Sequence, residues 1–518
     1  MRKTSIPFRP LQGLRPIAAA LALTGLAGPL AAQTLSPSPN DLPTPLLRED
    51  GTPLQVDLRG WHQEALASYP RPAAPATTRV VTSCADDGPG SLREISANSA
   101  PGDTIDLTQL ACSAITLETG AIKLLLDSVT IVGPGADRLA IDGNDYDRVF
   151  IHYGGGGFQI RDLTVRNGGY RATGFHVGFG GCIASAGYLT LDHSLVTGCY
   201  SAGEGSYGGA IYAYSLILSY STMSDNFAYG THKGADMASF GGAAFVYQID
   251  LVNSTVTGNV ARSRFNPPRR SYDIGGGIST VRGGLVVNST IDSNYTYGRG
   301  GGLATFSDVT ITNSTISGNV ARTFGGGGLF VRWPAALDVR NSTITANRGH
   351  EGGGVLVDYP QSFRSSIVAG NNADIGHIAD FSSRRAIAVS GAKNLIDSLS
   401  SNATLPDDTL RGDPGLLPLA YNGGPTRTHA LRPNSRSIDA GDNPIALASD
   451  QRGDGHPRVV GAATDIGAFE FAPGGTDPPP PQVPVPTLSG WATALLASAL
   501  ALLGVRRFRR RAPIRTRM

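Results

Sequence analysis

The sequence predicts an all-β solenoid, a fold in which short strands wind into stacked coils. A unit of 24 to 35 residues recurs between about residues 180 and 372, and the 518-residue chain contains 67 glycines but only 16% charged residues. Such a period is typical of solenoids, propellers and repeat arrays. Each unit holds only two or three short apolar runs and no 3.6-residue helical periodicity, which favours the solenoid over a propeller or a helical array.

The unit consists of a glycine pair, an aliphatic residue, an apolar run, the triplet Asn-Ser-Thr, another aliphatic residue and a second asparagine. The clearest copies cover residues 251–259, 286–294, 311–319 and 339–347. Weaker copies centre on Ser194, Ser221 and Ser366. We expect the glycine pairs to turn the chain from one coil into the next.

The spacing of apolar residues around each triplet predicts a bend. Val309 and Ile311 lie at odd offsets from Ser314, whereas Ile316 lies at an even offset. Because side chains alternate with a period of two along a strand, inward-facing residues can change parity only where the strand bends. The bend is expected at Asn313-Ser314 and at the same step of the other clear copies.

Four asparagines share this bend position: Asn253, Asn288, Asn313 and Asn341. Asparagine tolerates left-handed backbone geometry, and stacked amides ~4.8 Å apart can bond to one another. We therefore expect these side chains to form an asparagine ladder. The triplets also match N-glycosylation acceptors, but their recurrence at one structural position favours the ladder.

With its stacked asparagines, the body resembles pectate-lyase-like β-helices. The resemblance implies a right-handed parallel β-helix over residues 79–410. Residues 81–95, with Ser91-Leu92-Arg93-Glu94, resemble the N-terminal segment of bacterial surface β-helix proteins. We expect them to cap the apolar end of the solenoid.

The N-terminus has the pattern of a secretory signal. Arg2 and Lys3 precede an apolar run over residues 17–30 and a small-residue cleavage site at Ala31-Ala32. We assign residues 1–32 to a signal peptide and residues 33–78 to an extended linker or pro-region.

The C-terminus has a different pattern. A proline-rich linker over residues 473–485 leads to the signature Pro486, Thr487, Leu488 and Ser489. An uncharged stretch over residues 490–505 predicts a short transmembrane helix, and a basic cluster on its cytoplasmic side would stop transfer. The cluster consists of Arg506, Arg507, Arg509, Arg510 and Arg511.

Residues 486–511 resemble the IPTLS-type sorting domain of bacterial envelope proteins. The sequence departs from that pattern at Val485, where isoleucine is usual, and at Gly490, where an acidic residue is usual. The resemblance implies a membrane-bound, exosortase-like protease as partner. It also implies transient inner-membrane contact through the helix, followed by release to the cell surface, the outer membrane or the medium. The alternative is a tail anchor that is never processed.

The net charge argues against nucleic acid as a partner. The formal charge is +2, but residues 1–32 and 489–518 carry 11 basic residues and no acidic ones. Without these two ends the body has about nine more acidic than basic residues. An acidic body repels a polyanion such as DNA.

The four cysteines form no CxxC or Cys/His pattern, so neither a metal nor another cofactor is predicted. An even number in an exported chain suggests disulfides. The spacing favours Cys84 with Cys112 and Cys182 with Cys199, and four buried free thiols are the alternative.

Residues 411–472 resemble the choice-of-anchor Q domain, which joins extracellular bodies to C-terminal anchors. Five charged residues in this segment are candidates for a network that closes the solenoid, and solvated turn residues are the alternative. They are Asp450, Arg452, Arg458, Asp465 and Glu470.

Two long intervals between repeats, residues 228–240 and 261–274, predict loops that project side by side from neighbouring coils. Arginine with aromatics suits an acidic glycan or a protein partner, although plain surface loops would look similar. The candidate ligand-binding residues are His232, Lys233, Arg262, Arg264, Arg269, Arg270 and Tyr272.

No stacked set of catalytic carboxylates emerges from the repeat. Asp250 and Asp338 share one repeat position, but three coils separate them by ~14 Å at ~4.8 Å per coil. We therefore name no catalytic residue. The sequence favours an exported, adhesin-like or ligand-binding surface protein without catalysis, and a polysaccharide lyase or glycoside hydrolase on the same scaffold is the alternative.

Overall fold

The computed structural model describes residues 76–473, except 174–176, 232–237, 265–272, 333 and 375–379. The expected signal peptide, the sorting signature, the transmembrane helix and the arginine cluster lie outside these residues. Among the described residues, no helix has the length and hydropathy to cross a membrane.

The described residues form a parallel β-solenoid, as the repeat predicts. In the regularly repeating coils, each coil contributes one strand to each of four parallel sheets. We number them sheets 1 to 4 in the order in which the chain passes through them. Sheet 3 has 11 strands, so the solenoid has about eleven coils. Sheets 1 and 2 merge into one 20-stranded sheet because two nine-residue strands, Ile211–Ser219 and Ala244–Val252, run through both.

The other strands of sheet 1 are Ile122–Leu124, Phe150–His152, Ile183–Ser185, Ile278–Thr280, Leu303–Thr305, Leu329–Val331, Val355–Val357 and Phe381–Ser383. Those of sheet 2 are Thr78–Val80, Thr104–Asp106, Val129–Val132, Gly157–Arg161, Tyr188–Asp192, Gly284–Val287, Val309–Thr312, Leu337–Arg340, Ser362–Arg364 and Ser390–Ala392.

Sheet 3 consists of Ala114–Thr116, Ala140–Asp142, Thr164–Arg166, Leu195–Thr197, Thr222–Ser224, Thr255–Thr257, Thr290–Asp292, Thr315–Ser317, Thr343–Thr345, Ile367–Val368 and Leu395–Ile396. Sheet 4 consists of Gly169–Arg171, Tyr200–Gly203, Phe227–Gly230, Val260–Ser263, Tyr295–Thr296, Val320–Gly325, Arg348–Glu351 and Asn372–Ala373. Two short sheets contain Gly178–Phe179, Ser206–Tyr207 and Ser239–Phe240, and Ile387–Ala388 with Ala403–Thr404.

The core consists of identical positions stacked along the axis. Val286, Ile311 and Val339 pair in register on successive coils, and all three are fully buried. Each coil therefore covers the apolar side chains of the coil before it, and the stack leaves unpaired edges only at its two ends.

The bend between sheets 2 and 3 lies where the parity change predicts it. Asn253, Asn288, Asn313 and Asn341 have φ between 45° and 53°. The serine that follows each of them is buried, and its Oγ accepts a hydrogen bond from the backbone N–H of the serine one coil earlier. The donor–acceptor distances are 3.0–3.2 Å from Ser194 through to Ser366.

The asparagine ladder lies elsewhere than predicted. At the bend, Nδ2 of Asn313 donates to Oδ1 of Asn288 at 2.8 Å, but the Oδ1 atoms of Asn313 and Asn341 are buried without a partner. The continuous ladder is built by the second asparagine of each unit, with amide–amide distances of 2.8–2.9 Å. It contains Asn226, Asn259, Asn294, Asn319, Asn347 and Asn371.

The physical reason is the direction in which the side chains point. The second asparagines turn inward between sheets 3 and 4, where no water competes for their amides, and their N–H groups also reach backbone carbonyls. At the first position the left-handed conformation is the main requirement, because the amides point outward from the bend, and the C-terminal segment contacts and buries two of them.

The glycine pairs turn the chain from sheet 4 into sheet 1. Gly275 and Gly300 have φ near +70°. A Cβ on Gly276 would lie 2.3 Å from the carbonyl oxygen of Gly301 on the next coil. Glycine is required here because the stacked backbones approach too closely for any side chain.

A short helix, Leu92–Ala97, caps the N-terminal end. Ser91 is the N-cap and accepts a hydrogen bond from the N–H of Glu94, and the Glu94 carboxylate reaches back to accept one from the N–H of Gly90, the residue before the cap. Leu92 is buried on the core and Ile95 packs against it. The structure joins Cys84 to Cys112 beside this cap and Cys182 to Cys199 further along, the pairing that the spacing favours.

Residues 411–472, here called the strap, do not lie across the end of the solenoid as expected. They run along the outer side of sheet 3, where Gln451 and Thr426 bond to the coil of Ser289 and the backbone of Gly467 bonds to Ser365. The end itself is covered by residues 397–410, of which Leu399 and Leu405 pack against the core.

The five charged residues of the strap form a buried network, as one of the two interpretations predicts. Arg452 contacts Asp450 through two nitrogens at 2.7 and 3.0 Å. Arg458 donates to two backbone carbonyls and lies 4.0 Å from Glu470, which accepts from the N–H of Asp465. All five are nearly or fully buried, so the network organises the inside of the strap.

Candidate functional site

The outward side of sheet 4 carries a row of aromatic and arginine side chains. Strand pairing puts Tyr200, Phe227, Val260 and Tyr295 at one outward position and Tyr229 and Arg262 at the other. On the next two coils, this second outward position is taken by Tyr297 and then by Arg322, as the order of residues along the chain shows. We call this surface the sheet 4 face, and its aromatic and basic members are Arg171, Tyr200, Phe227, Tyr229, Arg262, Tyr295, Tyr297 and Arg322.

The centre of the sheet 4 face is an aromatic ring between two cations. The guanidinium of Arg262 lies 5.1 Å from the centroid of the Tyr297 ring, and that of Arg322 lies 5.5 Å from it. Both arginines are exposed, whereas Tyr297 is nearly buried. In the part of the chain that the structure describes, no carboxylate pairs with either arginine, so both charges are open to a ligand.

Tyr295 fixes the second cation. Its hydroxyl bonds to the side chain of Arg322, and this hydrogen bond raises the pKa of Arg322. Burial raises the pKa of Tyr295. Tyr295 also meets Tyr297 edge to face at 5.4 Å, so the two rings support the guanidinium from one side.

The N-terminal part of the sheet 4 face repeats this chemistry. Nε of Arg171 donates to the hydroxyl of Tyr200 at 3.0 Å, and the guanidinium lies 4.8 Å from the same ring. Phe227 and Tyr229 stack with their centroids 5.6 Å apart. Aromatic surface is therefore continuous between Arg171 and the central pair of arginines.

Beyond Arg322 the surface changes. Arg348 pairs with Asp374 at 2.6 Å, and Arg384 pairs with Glu351 at 2.7 Å. These arginines are neutralised by partners of the same chain. The open positive charge is thus confined to the coils before residue 348.

Two of the seven predicted ligand-binding residues lie in the described part of the chain. Arg262 is on the sheet 4 face, and Arg264 is exposed directly after the same strand, with its N–H bonded to the carbonyl of Gly230. The other five, His232, Lys233, Arg269, Arg270 and Tyr272, lie outside the described residues.

The sequence reasoning missed Tyr295, Tyr297 and Arg322. A signal was present, because each stands one or three residues after a ladder asparagine, as Phe227, Tyr229 and Arg262 do. Reading the outward positions of the fourth strand from coil to coil would have found them, but only once the position of the ladder was known.

Carboxylates on the other faces are dispersed. Asp250 and Asp338 are three register steps apart, as expected. Asp292 is buried against Arg427 of the strap at 2.7 Å. Over the described residues, no group of three His, Cys, Asp or Glu side chains is placed to hold a metal ion.

Asp250 nevertheless has an unusual environment on the outward side of sheet 2. Burial raises its pKa to about 7, and its carboxylate accepts a hydrogen bond from the N–H of Leu285. Nearby, Tyr188, Tyr214 and Tyr247 form a ladder of rings 5.4–5.7 Å apart at the corner between sheets 1 and 2.

Comparison with known families decides the nature of the C-terminus. The chain carries an IPTL-CTERM motif. The match covers residues 483–511, the segment in which the sorting signature was expected. The motif marks an exported protein of the cell envelope or surface and implies processing by a membrane sorting enzyme. The expected kinship of the strap with the choice-of-anchor Q domain stays a prediction, as does the signal peptide.

Among solved structures, the chain is similar to pectate lyase Pel9A. The similarity covers 77% of this chain and 98% of that one, with 15% identity and a TM-score of 0.41. No curated protein matches the sequence significantly.

Proposed function

We propose that this protein is an exported, surface-displayed β-solenoid that binds an anionic glycan through the sheet 4 face without cleaving it. The observation that carries the proposal is the arrangement of Arg262 and Arg322 on either side of Tyr297, with both cations open. The body is acidic overall, so two arginines that have no carboxylate partner among the described residues are a local feature that a ligand would use.

The chemistry of the surface suits a sugar acid. Guanidinium groups match carboxylate and sulfate oxygens with two parallel hydrogen bonds, and aromatic rings support the apolar faces of sugar rings. Side chains on a regular sheet are held more precisely than side chains on loops.

The experiment is a binding assay with the purified full-length chain against polygalacturonate, alginate, neutral xylan and poly-glutamate. We expect binding to the acidic glycans that falls with salt, and a loss of at least tenfold in the double variant Arg262→Ala/Arg322→Ala. Arg348→Ala is the matched control, because Arg348 lies on the same sheet but is already paired with Asp374.

Two results would contradict the proposal. One is equal affinity of the double variant and the wild-type chain for every acidic glycan. The other is equal binding of poly-glutamate, which would show that no sugar is recognised.

One observation favours an enzyme as the second candidate. Asp250 is a buried carboxyl group with a pKa of about 7 on the outward side of sheet 2, and a carboxyl group with a raised pKa is typical of general acids. Its counterpart Asp338 is ~14 Å away at ~4.8 Å per coil, beyond the separation of ~5–9.5 Å between paired carboxylates of glycosidases. Depolymerisation of an acidic or neutral glycan by the wild-type chain, abolished in Asp250→Asn, would establish this alternative.

We further infer that an exosortase-like protease processes the chain near Pro486-Thr487-Leu488-Ser489, after transient anchoring through residues 490–511. The IPTL-CTERM match supports this inference. Changing Thr487 and Leu488 to Ala should retain the unprocessed chain in the inner membrane, visible as a larger species in fractionated cells. Unchanged mass and unchanged surface display would contradict it.

A further inference from the structure

We propose that the ligand of the sheet 4 face is a linear polyanionic chain lying parallel to the solenoid axis, with anionic groups that contact Arg262 and Arg322 two coils apart. This inference rests on the proposed function and adds the direction, the spacing and the minimum length of the ligand.

Strand register sets the direction. Tyr229, Arg262, Tyr297 and Arg322 occupy the same outward position on four successive coils. Arg262 and Arg322 are therefore separated by ~9.6 Å along the axis at ~4.8 Å per coil. Across the axis, the strand of Arg262 offers two outward positions, Val260 and Arg262, ~6.6 Å apart. A ligand lying across the sheet would meet one of these arginines, and only a ligand along the axis can meet both.

Tyr297 makes the spacing specific. Its ring lies between the two guanidiniums and is 7% exposed, so it forms a floor beneath the ligand. Both cations contact its face, which holds them over the sheet and reduces the rotamer freedom that binding would otherwise remove.

We call the row of outward residues that the ligand would follow along the axis the positive track. The charges of neighbouring side chains set its two ends. Toward the C-terminus, Asp374 lies on the same column and pairs with Arg348, so neither coil offers an open cation to an anionic chain. Toward the N-terminus, the column continues over Tyr229 to Arg171, three coils before Arg262. The positive track thus spans five coil steps from Arg171 to Arg322, ~24 Å at ~4.8 Å per step.

This geometry predicts a dependence on ligand length. An oligomer too short to reach both arginines binds through one contact, whereas a longer one gains the second contact intramolecularly. Affinity should therefore rise steeply once the ligand spans two coils. Removing one arginine should remove most of that gain in affinity, and removing the second arginine should lower the affinity only a little further.

The experiment is calorimetric titration of the full-length chain with 1,4-linked oligouronates of two to eight units. We expect at least a tenfold rise in affinity between the shortest and longest oligomers. Arg262→Ala and Arg322→Ala should each remove most of this rise, whereas Arg348→Ala should preserve it. Tyr297→Phe should bind as the wild type does, and Tyr297→Ala should lose the rise.

A second variant tests the spacing directly. Tyr229→Arg in the Arg262→Ala background moves one cation by a coil, so the steep part of the length dependence should shift to longer oligomers. Binding that is equal for all lengths, with the arginine double variant still defective, would overturn the axial ligand and leave the proposed function standing. No binding of any oligouronate or acidic polymer would overturn both.

Discussion

Sheets 3 and 4 are neighbours on the same coils, yet their outward sides differ in chemistry and in whether another segment of the chain covers them. Sheet 3 presents small hydroxyl side chains such as Thr290, Thr315 and Thr343, all buried beneath the strap. Sheet 4 presents tyrosine, phenylalanine and arginine, which project into solvent except where the rings pack on one another. Two sheets with the same backbone geometry thus present one face that the strap covers and one face that is open to solvent.

The difference shows how a solenoid divides its surface. Threonine and serine offer short, fixed hydrogen-bond partners, and the strap uses them: Thr315 donates to the Gln451 side chain at 2.6 Å and Ser317 bonds to His429 at 2.8 Å. Long arginines and flat rings would obstruct a covering backbone but can accommodate a ligand. Stability should therefore depend on the sheet 3 side and binding on the sheet 4 side.

The largest effect is expected inside the strap. Arg458→Ala removes the cation beside Glu470 and Asp465, so we expect about 3–5 kcal/mol less stability, because buried carboxylates lose their compensating charge. Burial raises the pKa of Glu470 to about 7, so protonation should reduce the loss at pH 5 relative to pH 8. Denaturant unfolding and limited proteolysis of the strap would measure this loss of stability. Unchanged stability at pH 8 would contradict the network.

A moderate effect is expected from Asp250, which lies under neither the strap nor the proposed ligand. Its pKa of about 7 exceeds the usual 3.8, so the folded state holds a proton that the unfolded state releases. Stability should therefore fall as pH rises from about 4 to 7. Asp250→Asn removes this loss, so the variant should melt higher than wild type at pH 8 and equally at pH 4. A lower melting temperature at pH 8 would refute the assignment.

A smaller loss is expected at the interface of strap and solenoid. Gln451→Ala removes hydrogen bonds to Thr290, Thr315 and Thr426, and we expect about 2 kcal/mol less stability because buried hydroxyls lose partners. Hydrogen exchange of the strap amides should report the loss. The exposed Arg138→Ala serves as the control, with no change expected.

The smallest change in stability is expected on the sheet 4 face, and this variant separates the roles of the two faces best. Arg322→Ala on the open face should change stability by less than about 0.5 kcal/mol, since the side chain is exposed, while it removes most of the gain in ligand affinity. Comparable unfolding curves with altered binding would separate the two faces. A large loss of stability would show that the sheet 4 face is structural.

Much of the fold was predictable because each coil of a solenoid repeats the same short sequence pattern. The parity change at Ser314 located the bend, and the glycine pairs located the turn between coils, since both depend on backbone sterics within a few residues. Cysteine spacing favoured the disulfide pairs in the structure for the same reason. The ladder was assigned to the wrong asparagine because both recur with the same period, and only the inward or outward direction of the side chain distinguishes them.

The sequence by itself determined the solenoid, its bends and the C-terminal motif, because each is encoded in short contiguous segments. The tertiary structure decided which asparagines form the ladder, where the strap lies and which side chains meet on the sheet 4 face. Arg262, Tyr297 and Arg322 are up to 60 residues apart in the sequence. They become neighbours only because parallel coils stack in register, and that register is a property of the whole stack.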